Sequence, residues 1–432
     1  MFVDPNLLWV MVAVVLLSGS AAMVGCFAFV RKRALIGDAV AHAVLPGICL
    51  GFMVGGKSPW ALLLGAILMG WVSLFVMDWV LAHSKLKADT VIGVILSVFF
   101  GWGIMLLTAI QQSGDGQQAG LDKYLFGKAA AMTGEEVRLF AGLASLTLLV
   151  LVLFFRVFRM ISFDADFARV QGLPVNFLHF LLSTLTILSV ATGIQAVGVV
   201  LMAALLITPA AAARFWTHRL GQMMILAAIF GMASGVGGTW VSYLAPAMPT
   251  GPWIVMFLSL IALFSVCFAP TSGILARNKL QRQNRQKILR ENILKTCYNL
   301  APQEAHHTKA LLAARNFSAP QLKSGLRWLH QHHHLIRTDT GAWQLTNLGR
   351  DEAMRIVRLH RLWELYLNRR LDFKPDHVHN GAEALEHLLT PEVEKQLLEE
   401  LDYPIHDPHQ SIIPYRSGDS GRGLQDTGRD TV

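Results

Sequence analysis

Nine predominantly apolar stretches crowd the first 270 positions, near residues 7–30, 37–54, 59–82, 90–110, 136–156, 176–192, 194–213, 220–245 and 252–270. Each approaches the ~20 residues that a helix needs to cross a bilayer. Lipid offers no partner for an exposed peptide group, so such runs are restricted to helices. The second and sixth are short or interrupted, which leaves eight or nine transmembrane helices. The 2–30 stretch has no basic leading region and no small-residue cleavage site. It reads as a retained span and not as a signal peptide. Basic clusters follow alternate spans: Arg31-Lys32-Arg33, Lys85 with Lys87, Arg156 with Arg159, Arg214 with Arg219, and Arg277-Asn278-Lys279. The excess of Lys and Arg in cytoplasmic loops puts these five segments inside, in a multi-pass plasma (inner) membrane protein with its N-terminus outside.

The remainder is a different kind of polymer. Only 14 of the 37 Lys and Arg and 10 of the 29 Asp and Glu precede position 271, whereas 12 of the 16 His follow it. A polar cytoplasmic part therefore succeeds the membrane part, and the net charge of +8 is spread over two environments. Cys26, Cys49, Cys267 and Cys297 form no CxxC pair, so neither a disulfide framework nor a thiolate zinc site is expected.

Three segments of the membrane part carry more than hydropathy. In Ile36-Gly37-Asp38-Ala39-Val40-Ala41-His42, Asp38 and His42 are four apart and share a face if the segment is helical. Ionisable groups inside a bilayer are costly and usually line a bundle interior or polar path. A carboxylate with an imidazole suits a borderline divalent cation. The plainer reading is a pair that only orients the helix end. Residues 163–172, with Asp164, Asp166, Ala168, Arg169 and Gly172, read as a short polar helix between spans. It is longer than a bend requires, and reads either as a docking surface or as an ordinary loop. In Ile207-Thr208-Pro209-Ala210, proline frees backbone carbonyls, giving either a break that lines a pathway or a plain kink.

Together the Gly37-Asp38…His42…Leu45-Pro46-Gly47 run and the Asp164…Ala168-Arg169…Gly172 segment resemble the permeases of manganese/zinc/iron ABC importers, over about residues 1–272. Lys123-Tyr124-Leu125-Phe126-Gly127, Thr208-Pro209-Ala210 and Pro249-Thr250-Gly251 add to the resemblance. It implies that Asp38 and His42 belong to the metal path and that 164–172 is the coupling helix that contacts an ATPase. The transported divalent metal would be Mn, Zn or Fe. No GxxxxGK[ST] pattern occurs in the chain. The expected partners are a separate ABC ATPase subunit, an extracytoplasmic metal-binding protein and a second permease subunit, in a homo- or heterodimer.

Beyond a basic, helical stretch at 277–290, the spacing predicts two helices at 305–314 and 319–331, a helix-turn-helix. Ser318 is placed to cap the second helix, with Pro320 in its first turn. Residues 334–346 read as a two-stranded wing turning at Thr340-Gly341. Gln321, Lys323, Ser324 and Arg327 would face DNA, or a protein if the winged helix serves that purpose. The run His332-His333-His334 reads as a solvated helix end, because consecutive side chains point apart. His360 with Glu364, and His379, Glu383, Glu386 and His387, have helical i, i+3 and i+4 spacing, and mixed N/O ligands suit Mn(II) or Fe(II).

Leu345-Thr346…Gly349, His360-Arg361-Leu362…Glu364, His379…Glu383…Glu386-His387 and Pro404…Pro408-His409…Ile413-Pro414 resemble the iron- and manganese-dependent repressors of the DtxR/MntR type, over about 285–415. The resemblance implies that the six His and Glu residues ligate a regulatory metal. The family's first-helix ligand falls on Asn292, with Lys295 one turn later. The expected fold is an all-α polytopic membrane protein with a C-terminal winged helix-turn-helix plus helical metal-binding domain. Its divisions are 1–272 permease, 273–290 linker, 291–349 winged helix, 350–415 metal-binding domain and 416–432 disordered tail. The leading reading is a transporter subunit, not an enzyme, with a metal-responsive regulatory domain. A membrane-tethered metal-dependent transcription regulator is the alternative. An intramembrane metalloenzyme built on Asp38 and His42 ranks last, since no HExxH or second catalytic carboxylate accompanies them.

Overall fold

A computed structural model of the chain describes residues 5–32, 35–112, 132–244, 248–371 and 391–415. It divides into two compact units, Met1–Arg277 and Asn278–Val432.

In the first unit, eight helices are long and apolar enough to cross a membrane: α1 (Pro5–Val30), α2 (Ile36–Gly55), α3 (Pro59–His83), α4 (Ala88–Gln112), α5 (Gly134–Leu153), α8 (Val175–Val197), α10 (Leu220–Leu244) and α11 (Thr250–Phe268). Between α5 and α8 lie two short helices, α6 (Phe155–Phe163) and α7 (Ala165–Val170). The sixth apolar stretch is thus a full-length helix. The seventh is the short one, α9 (Val199–Arg214), with 16 residues. That is about 24 Å of helix, less than the ~30 Å hydrocarbon layer. It need not match lipid, because α1, α2, α8, α10 and α11 surround it. Leu205, Leu206, Ala210 and Ala213 are fully buried. Gly198, with φ +91°, separates α8 from α9. A side chain is strained in that conformation, which glycine adopts freely. Pro209, read as either a break or a plain kink, lies inside α9. The break falls eleven positions earlier, where the backbone has to reverse.

α1 is the axis of the bundle, packed against α5, α8, α9 and α10. Its apolar residues are buried on several sides, as expected of a helix that is hydrophobic all round. Close approach to α10 depends on small residues: a Cβ at Gly231 would come within 2.7 Å of the Ser18 carbonyl oxygen. Without a hydrophobic driving force in lipid, such close backbone packing is what holds helices together.

The second unit starts within α12 (Ile274–Leu300), so the basic stretch and the first helix of the winged domain are one continuous helix. α13 (Thr308–Ala314), α14 (Ala319–Gln331), β1 (Leu335–Arg337), β2 (Trp343–Leu345), α15 (Asn347–Leu371) and α16 (Pro391–Glu400) follow. The wing is an antiparallel pair with Leu335 opposite Leu345 and Arg337 opposite Trp343. Leu322, Leu326 and Leu329 of α14 close on Ile293, Leu294 and Cys297 of α12, with Leu311, Leu335 and Ile356 completing the core. Ser318 stands at the N-cap of α14, but its side chain makes no capping bond. Pro320 occupies the first turn as expected.

Candidate functional site

The N-terminal turns of α2 hold the ionisable pair. His42 Nε2 lies 3.6 Å from Asp38 Oδ1, with side chains 13% and 32% exposed respectively. The i, i+4 spacing therefore places both on one face. The imidazole packs edge-on against Phe100 of α4, with ring centroids 4.7 Å apart. Its Nδ1 is buried and makes no hydrogen bond. The same turn of α2 lies tight against the short central helix: a Cβ on Gly37 would come within 2.3 Å of Leu206 Cδ2. A carboxylate and a buried ring nitrogen with a lone pair to give are thus held where α2 meets α9.

At α7 the polar segment is built as a knob. Asp164 caps it, its Oδ1 accepting from the Phe167 N–H at 2.8 Å. Asp166 pairs with Arg169 at 2.7 Å, and both are exposed. Ala168 is fully buried and anchors the knob. Gly172 ends it at φ +77° with open space around it. Phe163, Phe167 and Val170 are 67%, 51% and 85% exposed. Three large apolar side chains beside a charged pair make a surface suited to a protein partner. All three lie within the segment that sequence reading singles out, but the residues it names there are the polar and small ones.

In the second unit, Gln321, Lys323, Ser324 and Arg327 are all exposed, on the face of α14 opposite its buried leucines. The three successive histidines diverge. His332 stacks on Trp328 at 3.6 Å, with the Arg290 guanidinium also 3.6 Å from that ring. His333 has φ +60°, and the His334 Nδ1 is buried without a hydrogen bond. Burial pushes the His334 pKa down, against the pull of Glu352 and with the push of His332. Burial also pushes the Cys297 thiol up to about 12, which keeps it protonated and unsuited to metal.

The Thr346…Gly349 motif joins wing to helix. The Thr346 hydroxyl accepts from the Gly349 N–H and donates to the His333 carbonyl at 2.6 Å. A Cβ at position 349 would fall 1.9 Å from the His334 oxygen. In the middle of α15, His360 Nε2 and Glu364 Oε1 lie 3.1 Å apart, with side chains 7% and 3% exposed. The Asn292 Oδ1 is also buried, with no hydrogen bond, while Lys295 is 7% exposed. His379, Glu383, Glu386 and His387 lie outside the described residues, as do 123–127 and the tail at 416–432. Among the described residues no three His, Cys, Asp or Glu gather. The described pair, a buried imidazole and carboxylate, is of a chemistry that fits a borderline cation.

The Pro404…Pro414 motif is a pinned turn. Asp407 Oδ1 accepts the N–H groups of His409 and Ser411, each at 2.8 Å, and Arg361 reaches both Asp407 and the Ile412 carbonyl. Glu394 of α16, buried, binds Arg355 at 3.1 Å and Arg358 at 2.9 Å. Although burial lowers the Arg355 pKa, Glu352 and Glu394 more than offset it, and the net shift is upward.

Residues 3–269 match the ABC 3 transport family. Residues 346–415 match the iron dependent repressor, metal binding and dimerisation domain. The chain is 41% identical over 366 residues to the manganese transport system membrane protein MntC of Bacillus subtilis (strain 168), covering 84% of each. It is 41% identical over 292 residues to the zinc transport system membrane protein TroC of Treponema pallidum (strain Nichols), covering 67% of this chain and 97% of that one. Among solved structures, PsaBC from Streptococcus pneumoniae in complex with Fab matches with TM-score 0.56 and 33% identity, covering 62% of this chain and 93% of that chain. The chain belongs to the ABC 3 transport family, as a multi-pass membrane permease with a domain of the iron-dependent repressor type after it.

Proposed function

We propose that the chain imports a divalent transition metal, manganese or zinc, in a complex with a separate ATPase, an extracytoplasmic metal-binding protein and a second permease subunit. The observation that carries this reading is the Asp38–His42 pair, held at the contact of α2 with the short buried α9. Relatives named for manganese and zinc transport support the choice of metal. The cation is the cargo: Asp38 and His42 take it in exchange for water, and α9, hinged at Gly198, is the element placed to respond. The knob at α7 couples that response to ATP hydrolysis elsewhere, through Asp164, Asp166, Ala168, Arg169 and Gly172 and the exposed Phe163, Phe167 and Val170.

The C-terminal unit, on the cytoplasmic side by the distribution of basic clusters, reads internal metal. His360, Glu364, His379, Glu383, Glu386 and His387 would hold it, with Asn292 as a neutral first-helix donor. A metal bound there supplies a charged crosslink between helices. Metal shifts the domain's conformation only by its differential affinity for two states, and the output passes to the transporter through α12 or to DNA through the exposed face of α14. The test is total cell manganese and zinc, measured by mass spectrometry in a bacterial host stripped of its own importers. The chain with its ATPase and binding protein should restore accumulation of one metal severalfold. Unchanged contents of both would contradict the proposal.

A further inference from the structure

A cavity of about 650 Å³ opens between α1, α3 and α8, within the ~300–1,000 Å³ range of ligand pockets. A smaller pocket beside it shares Arg31, Leu74, Asp78 and Ser183. The cavity's polar groups are of both signs. Arg31, just after α1, donates from Nη2 to His179 Nδ1 at 2.9 Å. A guanidinium cannot accept, so the neutral imidazole carries its proton on Nε2, a second donor. Asp78, on α3, lines the same cavity and is exposed. No described side chain pairs with its carboxylate. It stands five residues before the end of α3, about 8 Å along the axis. The mouth is aromatic: Phe75 and Phe180 are 73% and 54% exposed, and Trp71 stands behind Phe180 with ring centroids 5.6 Å apart. Exposed phenylalanine rings beside polar groups give the mouth an apolar rim suited to acyl chains.

The Asp78 carboxylate, exposed in this cavity, favours a cationic group in its occupant. The adjacent guanidinium calls for an anion. A free phosphate would be repelled by Asp78, and a metal ion by Arg31. We propose that this cavity binds a phospholipid whose headgroup carries a primary ammonium beside its phosphate. The phosphate faces Arg31 and the His179 Nε2–H, the ammonium faces Asp78, and the acyl chains leave past Phe75 and Phe180. The site adjoins the first turn of α8, which follows α7 by a few residues.

The test is native mass spectrometry of the full-length chain equilibrated with phosphatidylethanolamine, phosphatidylglycerol and phosphatidylcholine of matched acyl chains. The unmodified protein should retain phosphatidylethanolamine over the other two by about tenfold, the effect of one charge-assisted pair in a partly desolvated site. Asp78→Asn should erase the preference over phosphatidylglycerol, and Arg31→Gln should lower retention of all three. Equal retention by the unmodified protein, or an intact preference in Asp78→Asn, would overturn the proposal. So would a disulfide between two copies of a Phe75→Cys variant in membranes, since it would give the mouth to a second subunit.

Discussion

At the scale of single residues, the two halves of the chain use the same donor chemistry in different surroundings. Asp38 with His42 and His360 with Glu364 are both carboxylate–imidazole pairs at i, i+4. The first pair is partly exposed, whereas the second is buried. Both spacings are legible in the sequence because helical geometry alone puts i and i+4 on one face. The orphaned atoms are not legible, because whether the His42 Nδ1 or the Asn292 Oδ1 finds a partner depends on residues far away in the chain. Asn292 carries a prediction. The 278–415 fragment, which has its own core, should bind Mn(II) in calorimetry. His360→Ala with Glu364→Ala should weaken binding by at least about tenfold, and Asn292→Asp should tighten it by replacing a neutral donor with a charged one. Binding unaffected by any of these changes would remove the described pair and Asn292 from the site.

At the scale of elements, local pattern located nearly every helix but not how each is used. The polar segment 164–172 is visible as a break in hydropathy, and its Asp164 cap follows from residue type. That Ala168 anchors it while Phe167 and Val170 face outward could not be read, because a six-residue helix has no periodicity to assign a face. Likewise the eye is drawn to Pro209, yet α9 absorbs it and breaks at Gly198. A proline near the middle of a buried helix can have its lost hydrogen bond covered by neighbours, whereas a φ of +91° is available to few residues but glycine. For α7, charge reversal of Asp164 and Asp166 to Arg should leave the permease in the membrane but abolish substrate-stimulated ATP hydrolysis by its partner. Phe167→Asp should do the same. The measurement is ATPase rate in reconstituted vesicles with and without metal-loaded binding protein. Unchanged stimulation would show that the knob does not couple.

At the scale of the whole molecule, hydropathy and charge separated a membrane unit from a polar one, and the division falls within α12, after the last basic-flanked span. The sites that remained unreadable are assembled from distant positions. The Arg31, Asp78 and His179 cavity draws on α3, α8 and the turn after α1, and the Glu394 clasp on Arg355 and Arg358 joins α16 to α15. No sequence spacing encodes such meetings. The central claim is that Asp38 and His42 handle a divalent metal in transit through a permease powered by another subunit. The most direct test is ATP-dependent uptake of radioactive manganese and zinc into vesicles reconstituted with the chain, its ATPase and its binding protein. The intact complex should accumulate one of the two metals, and Asp38→Ala or His42→Ala should reduce uptake by about a hundredfold or more, the loss of a charged ligand from a desolvated path, while the complex still assembles. Uptake at the intact rate in both variants would contradict the account.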